Sequence, residues 1–163
     1  MKKLPLGIQN FPEIRTDNYI YIDKTKTAFD LINNGKYYFL SRPRRFGKSL
    51  FLDTLKCLFE GKKELFDGLY VYDKWDWGKK YPVIRIDFAK GVLKTSDQLR
   101  DKFLSILKIS SKESGVEIDY STPSTTFENL IIGCYDKYKM LSFYFLSDII
   151  LFWTISCYNI NIF

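Results

Sequence analysis

The residues with the clearest chemical potential lie together in one loop. Residues 42–49 read Arg-Pro-Arg-Arg-Phe-Gly-Lys-Ser, and the last three match the end of the phosphate-binding pattern G-x-x-x-x-G-K-[ST]. In that pattern Gly47 lets the backbone approach phosphate oxygens, Lys48 reaches the β and γ phosphates, and the Ser49 hydroxyl is a ligand of Mg²⁺. The loop therefore predicts a site for ATP with Mg²⁺, in which Ser49 contacts the metal through the bound nucleotide.

The segments on either side of the loop must position it. Residues 37–40 form a short apolar run that predicts a strand, and the apolar spacing of residues 48–60 predicts a helix that Gly61 ends. A helix that starts at the loop adds free N–H groups and the positive end of its dipole. The predicted nucleotide contacts are Arg44, Arg45, Phe46, Gly47, Lys48, Ser49 and Leu50.

Two residues depart from the full pattern. Arg42 stands where the first glycine belongs, and Pro43 has no backbone N–H to donate. From the residues alone, three interpretations stay open: a nucleotide site, a basic turn that binds nothing, and a turn whose arginines bind a nucleic-acid backbone or another polyanion. The third interpretation describes a basic binding module without catalysis.

Strands and helices alternate along the rest of the chain. This order favours an α/β sandwich with a parallel sheet. The predicted elements are a helix over 24–33 capped by Asp23 and ended by Gly35, a strand over 82–88, a helix capped by Thr95 or Ser96 that runs to Leu107, and a helix capped by Ser124 or Thr125 that runs to Tyr138.

Composition narrows the possible chemistry. The chain has 163 residues, a formal net charge of +6 and no histidine, which excludes His-dependent catalysis and His-ligated zinc. Its three cysteines, Cys57, Cys134 and Cys157, are odd in number and lack metal-ligand spacing. They predict reduced thiols and a cytoplasmic protein, and the N-terminus lacks the apolar run of a signal peptide.

The composition changes near residue 140. Asp148 is the sole charged residue within 141–163, and most of that tail is apolar. The tail has the length of a membrane-spanning helix, but a carboxylate inside the bilayer is costly. A membrane anchor is therefore the less favoured interpretation, and no membrane partner is expected.

Several stretches resemble one bacterial family. These are residues 4–11, Tyr21-Ile22-Asp23-Lys24-Thr25, the loop at 38–49, and the runs at 59–70 and 81–88. Together they resemble the AAA-ATPase-like domain family, in which this domain usually precedes a PD-(D/E)XK nuclease-like domain. The resemblance covers residues 1–139, and the family also carries Arg-Pro-Arg-Arg-Phe-Gly-Lys-Ser in place of a full Walker A loop.

The resemblance implies a P-loop NTPase-like three-layer sandwich with a parallel sheet. It also implies ATP and Mg²⁺ as ligands, ATPase activity, nucleic acid as a partner class, and a homo-oligomer of the kind that AAA-like ATPases form.

The family pattern next expects a Walker B strand that ends in Asp-Glu, and no such pair follows residue 120. We therefore predict that the chain is truncated before Walker B, that residues 140–163 are frameshifted or foreign, and that the sheet is incomplete at its C-terminal side. Without the Mg²⁺-holding and water-orienting acids, we expect weak or no hydrolysis, so the assignment as an enzyme stays open. Asp87 ends an apolar run and is a minor alternative for the magnesium acid, but Phe88 follows it and Arg85 interrupts the run.

For three further groups of residues, a structural interpretation competes with a functional one. Asp23-Lys24-Thr25 is interpreted either as part of the nucleotide site or as a helix cap. Trp75 and Trp77 are interpreted as edge packing in preference to a base-stacking platform. The pairs Lys62-Lys63 and Lys79-Lys80 are interpreted as solvated charge.

Overall fold

The computed structural model describes residues 1–34, 38, 40, 43, 45–86 and 94–139, and the backbone of 143–146. The chain divides into two compact units, Met1–Lys80 and Tyr81–Phe163. Each unit is described by itself.

The first unit is helical in its described part. Its elements are α1 (Phe11–Thr16), α2 (Thr25–Asn34), α3 (Lys48–Phe59) and a 3₁₀ helix (Lys63–Phe66). Helix α1 begins because the Asn10 side chain accepts a hydrogen bond of 2.9 Å from the Glu13 N–H and Pro12 occupies the first turn. Lys3, before α1, forms a parallel bridge with Tyr19, which follows α1.

Aromatic side chains dominate the core of the first unit. The rings of Phe11 and Phe66 are both fully buried, with centroids 4.9 Å apart. Helix α3 supplies the largest share of the core, because buried residues occur along most of its length. The other buried apolar residues around this cluster include Ile14, Ala28, Leu65 and Val71.

The second unit combines two helices with two short strands. Strand β1 (Val83–Ile86) is followed by α4 (Ser96–Ser114), α5 (Pro123–Tyr138) and β2 (Phe143–Leu146). The strands pair in parallel, so that Val83 lies opposite Phe143 and Ile86 opposite Leu146. Ile84 and Ile86 of β1 are buried in a core that includes Leu107, Val116, Leu130, Ile131 and Cys134.

The turn between α4 and α5 is closely packed. Gly115 ends α4 with φ +61°, and Lys137 Nζ donates hydrogen bonds to the carbonyls of Ser114 (2.9 Å) and Gly115 (2.8 Å). An ammonium group at this position satisfies carbonyls that the helix leaves free and complements the helix dipole. On α5, the missing side chain of Gly133 leaves the space that the Val116 side chain fills.

Most of the predicted elements are confirmed, with different ends. Helix α3 and strand β1 lie where the sequence predicts them, and α2 runs over Thr25–Asn34. The predicted end of α4 at Leu107 is wrong, because no helix-breaking residue occurs before Gly115. The predicted caps of α5 are also wrong: Thr122 accepts from the Thr125 N–H, and Pro123 fixes the first turn.

The remaining predictions either differ from the structure or concern residues outside its described part. Helix α1 and the 3₁₀ helix were not predicted. Residues 37 and 39 of the predicted strand lie outside the described residues, as does Gly35. Tyr38 and Leu40 are described and are not in a strand.

The described elements make the chain a mixed α/β protein. Within this described part, no helix is long and apolar enough to cross a membrane.

Candidate functional site: the loop before helix α3

The predicted phosphate-binding loop enters helix α3 through a glycine. Gly47 is the N-cap of α3 and has the left-handed conformation φ 75°, ψ 18°. Arg45, two residues earlier, also has a positive φ of 69°. The carbonyl of Gly47 accepts the N–H of Phe51 at 2.9 Å, which closes the first turn of the helix. This backbone conformation favours glycine at position 47, because L side chains rarely adopt it.

The loop presents its backbone to solvent. Arg45, Phe46 and Gly47 are exposed, whereas Lys48, Ser49 and Leu50 are half-buried at the start of α3. A Cβ atom built on Gly47 would meet nothing within 4 Å in the part of the chain that the structure describes.

The start of α3 has the electrostatic character of an anion site. The first N–H groups of any helix have no acceptor within the helix and carry the positive end of its dipole. The first turn of α3 contains Lys48 and Ser49, and it contains no acidic residue. Successive N–H groups next to left-handed residues form the kind of concavity that binds phosphate.

The structure brings most of the predicted site residues into one turn. Arg45, Phe46 and Gly47 form the turn, and Lys48, Ser49 and Leu50 follow as the first three residues of α3. Arg44 lies outside the described residues, together with Arg42. The role of Ser49 as a magnesium ligand stays a prediction.

Helix α3 is held from its other face by the segment around α1. The Phe11 N–H donates to Oδ2 of Asp53 at 2.7 Å, and the Thr54 hydroxyl donates to the Leu50 carbonyl at 2.9 Å. The hydroxyl of Tyr21 lies 3.4 Å from Oγ1 of Thr54. These residues are not recognisable from the sequence, because neither a carboxylate nor a hydroxyl inside an amphipathic helix has a characteristic spacing.

Asp23 acts as a structural carboxylate. Helix α2 starts at Thr25, so Asp23 precedes the cap position by one residue, and its Oδ1 accepts from the Thr25 N–H (2.7 Å) and hydroxyl (2.6 Å). Its Oδ2 accepts from the Tyr70 N–H at 2.8 Å. Partial burial raises the pKa of Asp23, but the bonds from Thr25 and Tyr70 outweigh burial, so the pKa lies below its ordinary value. The capping interpretation is confirmed in function, one residue away from the predicted position.

The two tryptophans are packing residues, as predicted. The ring of Trp75 contacts Phe59 with centroids 5.7 Å apart, and the ring of Trp77 lies 5.2 Å from Phe66. The indole N–H of Trp77 donates to the Tyr72 carbonyl at 2.7 Å. Both side chains are half-buried, which disfavours a base-stacking role.

The lysine pairs are less free than predicted. Lys62 forms an ion pair of 2.8 Å with Glu60, and Lys79 forms one of 3.0 Å with Asp76. These contacts lie at the surface, where such pairs contribute little to stability.

The remaining candidate residues, the cysteines and the possible metal-binding acids, are either buried or lie outside the described residues. Cys57 and Cys134 are free, buried thiols. Among the residues that the structure describes, no group of three or more acidic or cysteine side chains could hold a metal ion. Asp87, Asp148 and Cys157 lie outside the described residues, so the alternative magnesium acid stays a prediction.

The family of the chain follows from comparison with known proteins. A family model for AAA-ATPase-like domains, described as "Predicted AAA-ATPase", matches residues 5–148. The chain therefore belongs to the AAA-ATPase-like family. The match extends beyond residue 139 and includes β2.

One curated relative is similar over most of this chain. It is the "Uncharacterized protein in vnfD 5′ region" of Azotobacter chroococcum mcd 1, which is 50% identical over 131 residues. The alignment covers 80% of this chain and 25% of the relative, so the chain spans about a quarter of that protein's length. None of the solved structures matches the chain significantly.

Proposed function

We propose that the chain is a P-loop nucleotide-binding domain that binds ATP with Mg²⁺ at the loop before helix α3. One observation carries the proposal: Gly47, in a left-handed conformation, leads directly into a helix whose first two residues are Lys48 and Ser49. Membership of the AAA-ATPase-like family supports the same site. The corresponding fold is a P-loop NTPase-like three-layer sandwich with a parallel sheet.

The residues present fit a nucleoside triphosphate. The N–H groups of Gly47, Lys48, Ser49 and Leu50 would hold phosphate oxygens, with Arg44, Arg45 and Phe46 completing the loop. Lys48 would neutralise phosphate charge, and the Ser49 hydroxyl would be oriented towards Mg²⁺. When bound, Mg²⁺ would neutralise charge on the β and γ phosphates.

Binding without efficient hydrolysis is the expected behaviour of this chain. Phosphoryl transfer depends on positioned charges, and the Asp-Glu pair of a Walker B strand does not occur after residue 120. We expect hydrolysis to be weak or absent. Turnover that disappears in Lys48→Ala would contradict this expectation.

The direct test is calorimetric titration of the full chain with Mg²⁺-ATP. We expect Lys48→Ala to lose binding, because it removes the side-chain cation in the first turn of α3. Lys26→Ala is the matched control, since Lys26 is exposed on α2 of the same unit, and it should bind as the wild type does. Absence of binding in the folded wild type would overturn the proposal.

A second candidate function is the binding of nucleic acid or another polyanion. It is favoured by Arg45 and Phe46, which lie exposed at the tip of the loop, Phe46 with 63% of its surface accessible. Duplex binding through phosphate contacts should weaken with salt at a log–log slope of about −0.9 per contacted phosphate. Mg²⁺-ATP binding should depend instead on Mg²⁺ and Lys48.

Further proposals rest on the family resemblance and the composition. They are kinship with proteins in which a nuclease-like domain follows this one, a homo-oligomer, a cytoplasmic location, residues 1–139 as the N-terminal part of the ATPase-like domain, truncation before Walker B, and a foreign origin of residues 140–163. The family match to residue 148 overlaps the start of that last segment. Sequencing across residue 140 in several isolates tests its origin, and a confirmed unbroken frame would contradict it.

A further inference from the structure

Two hydroxyl groups connect an early segment of the chain to the first turn of α3. The Thr54 hydroxyl is fully buried and donates to the Leu50 carbonyl at 2.9 Å. Because its proton is used there, the contact of 3.4 Å between Tyr21 and Thr54 has the Tyr21 hydroxyl as donor. We call Tyr21, Thr54 and the Leu50 carbonyl the hydroxyl relay.

The surrounding contacts hold the Tyr21 ring in place. Its centroid lies 5.1 Å from that of Phe11 in an edge-to-face arrangement, and the Phe11 N–H is bonded to Asp53 of α3 at 2.7 Å. Burial raises the pKa of Tyr21 above its ordinary value, and the nearby Asp23 carboxylate adds to this rise. The phenol therefore stays protonated and can donate at neutral pH.

The relay ends at a residue of the candidate site. Leu50 is the third residue of α3, so its carbonyl belongs to the turn whose N–H groups face the loop. A threonine hydroxyl that bonds the carbonyl four residues earlier shifts the local course of a helix. Several N–H groups must point at one phosphate together, so a small change in this turn weakens all of their bonds.

We propose that Tyr21 and Thr54 are positioning residues that set the orientation of the first turn of α3 for phosphate binding. This inference rests on the proposed function, and it adds two residues that have no phosphate contact of their own. The uncharged relay acts through geometry, so its effect falls on ligand affinity more than on the stability of the fold.

The test is calorimetric titration of the full chain with Mg²⁺-ATP, together with thermal unfolding of each variant. Tyr21→Phe keeps the ring and removes the donor, and we expect the Kd to rise roughly three- to tenfold. The melting temperature should change by no more than about 3 °C. Tyr19→Phe is the matched control, because Tyr19 contacts Ile14 and Lys3 through its backbone, and its Kd should equal that of the wild type.

Substitutions at Thr54 separate the hydroxyl from the shape of the side chain. Thr54→Val keeps the shape and should weaken binding, whereas Thr54→Ser keeps the hydroxyl and should bind as the wild type does. The double variant Tyr21→Phe/Thr54→Val should be no weaker than Thr54→Val alone, because both changes interrupt one relay. If Thr54→Val does not fold, the comparison of Tyr21→Phe with Thr54→Ser decides the question.

The outcomes distinguish the two proposals. A folded wild type that does not bind Mg²⁺-ATP overturns the proposed function and this inference with it. Binding that is lost in Lys48→Ala but equal in Tyr21→Phe and Tyr19→Phe overturns the inference alone. A selective loss of affinity in Tyr21→Phe with an unchanged melting temperature supports both.

Discussion

The backbone N–H of Tyr70 donates a hydrogen bond of 2.8 Å to Oδ2 of Asp23, a residue 47 positions earlier in the chain. The other oxygen of the same carboxylate accepts from Thr25 at the start of α2. One side chain therefore starts a helix and also fixes the segment that follows the 3₁₀ helix. The role of Asp23 in the Asp23-Lys24-Thr25 motif is thus explained by these contacts within the first unit.

The Asp23 contacts predict an acid-sensitive contribution to stability. The folded-state pKa of Asp23 is lowered, so its contribution is fully present above the unfolded-state pKa of about 3.9 and is lost as pH falls through the folded-state value. We expect Asp23→Asn to lower the free energy of unfolding by about 1 kcal/mol at pH 7, because both carboxylate oxygens accept hydrogen bonds and the amide of asparagine has one acceptor oxygen. The deficit should shrink towards pH 3, as measured by urea unfolding across that range.

The control for this prediction is Asp30→Asn, which removes an exposed carboxylate from α2. Its difference from the wild type should stay small at every pH. A deficit in Asp23→Asn that is the same at pH 7 and pH 3 would contradict the role assigned to the carboxylate.

Gly47 and Gly68 provide a matched pair of backbone substitutions. Their φ angles are 75° and 71°, and a Cβ at either position would meet nothing within 4 Å among the described residues. We expect Gly47→Ala and Gly68→Ala each to cost about 1–2 kcal/mol of stability, because both force an L residue into the left-handed region. Calorimetry with Mg²⁺-ATP should show weakened binding in Gly47→Ala alone; equal affinities would mean that Gly47 serves the turn and not the ligand.

The contact between α5 and Val116 predicts a steric effect in the second unit. A Cβ on Gly133 would overlap the Val116 side chain, so Gly133→Ala should destabilise this unit by about 1–3 kcal/mol, partly offset by the better helix propensity of alanine. Amide hydrogen exchange in α4 and α5 reports the loss. The double variant Gly133→Ala/Val116→Ala should recover protection relative to Val116→Ala alone, and a failure to do so would exclude this overlap as the cause.

Burial makes the described thiols unreactive. Burial, with a contribution from Asp53, raises the pKa of Cys57 to about 12, and burial also raises the pKa of Cys134. Because the thiolate is the reactive form, iodoacetamide at pH 8 should modify neither residue in the folded chain. Both should react in urea, with the sites identified by mass spectrometry. Rapid modification of Cys57 without denaturant would show that α3 opens readily.

The predictable parts of the fold are those with local signals. Helix α3 could be predicted because a glycine, a lysine and a serine precede a regular apolar spacing. Helix α1 has six residues, too few for a periodic pattern, and the bond from Phe11 to Asp53 that fixes it comes from a distant helix. The Thr122 cap is hard to recognise in the sequence, because three further hydroxyl residues follow it within four positions.

The residues of the candidate site also include some with a local sequence signal and some without one. Its phosphate-facing residues are adjacent in sequence, so a motif reveals them. Tyr21 and Thr54 become neighbours only through tertiary packing, and a single sequence contains no spacing rule for such a pair.

Because β1 pairs with β2, which comes much later in the chain, this sheet can form only late in protein synthesis. Both helices α4 and α5 lie between the two strands in the chain, so the backbone of Val83–Ile86 must wait for its partner until residue 146 has left the ribosome. Non-local pairings of this kind form slowly, and a strand edge that lacks its partner can associate with other chains. The nascent second unit is accordingly a part of this protein for which a chaperone would matter.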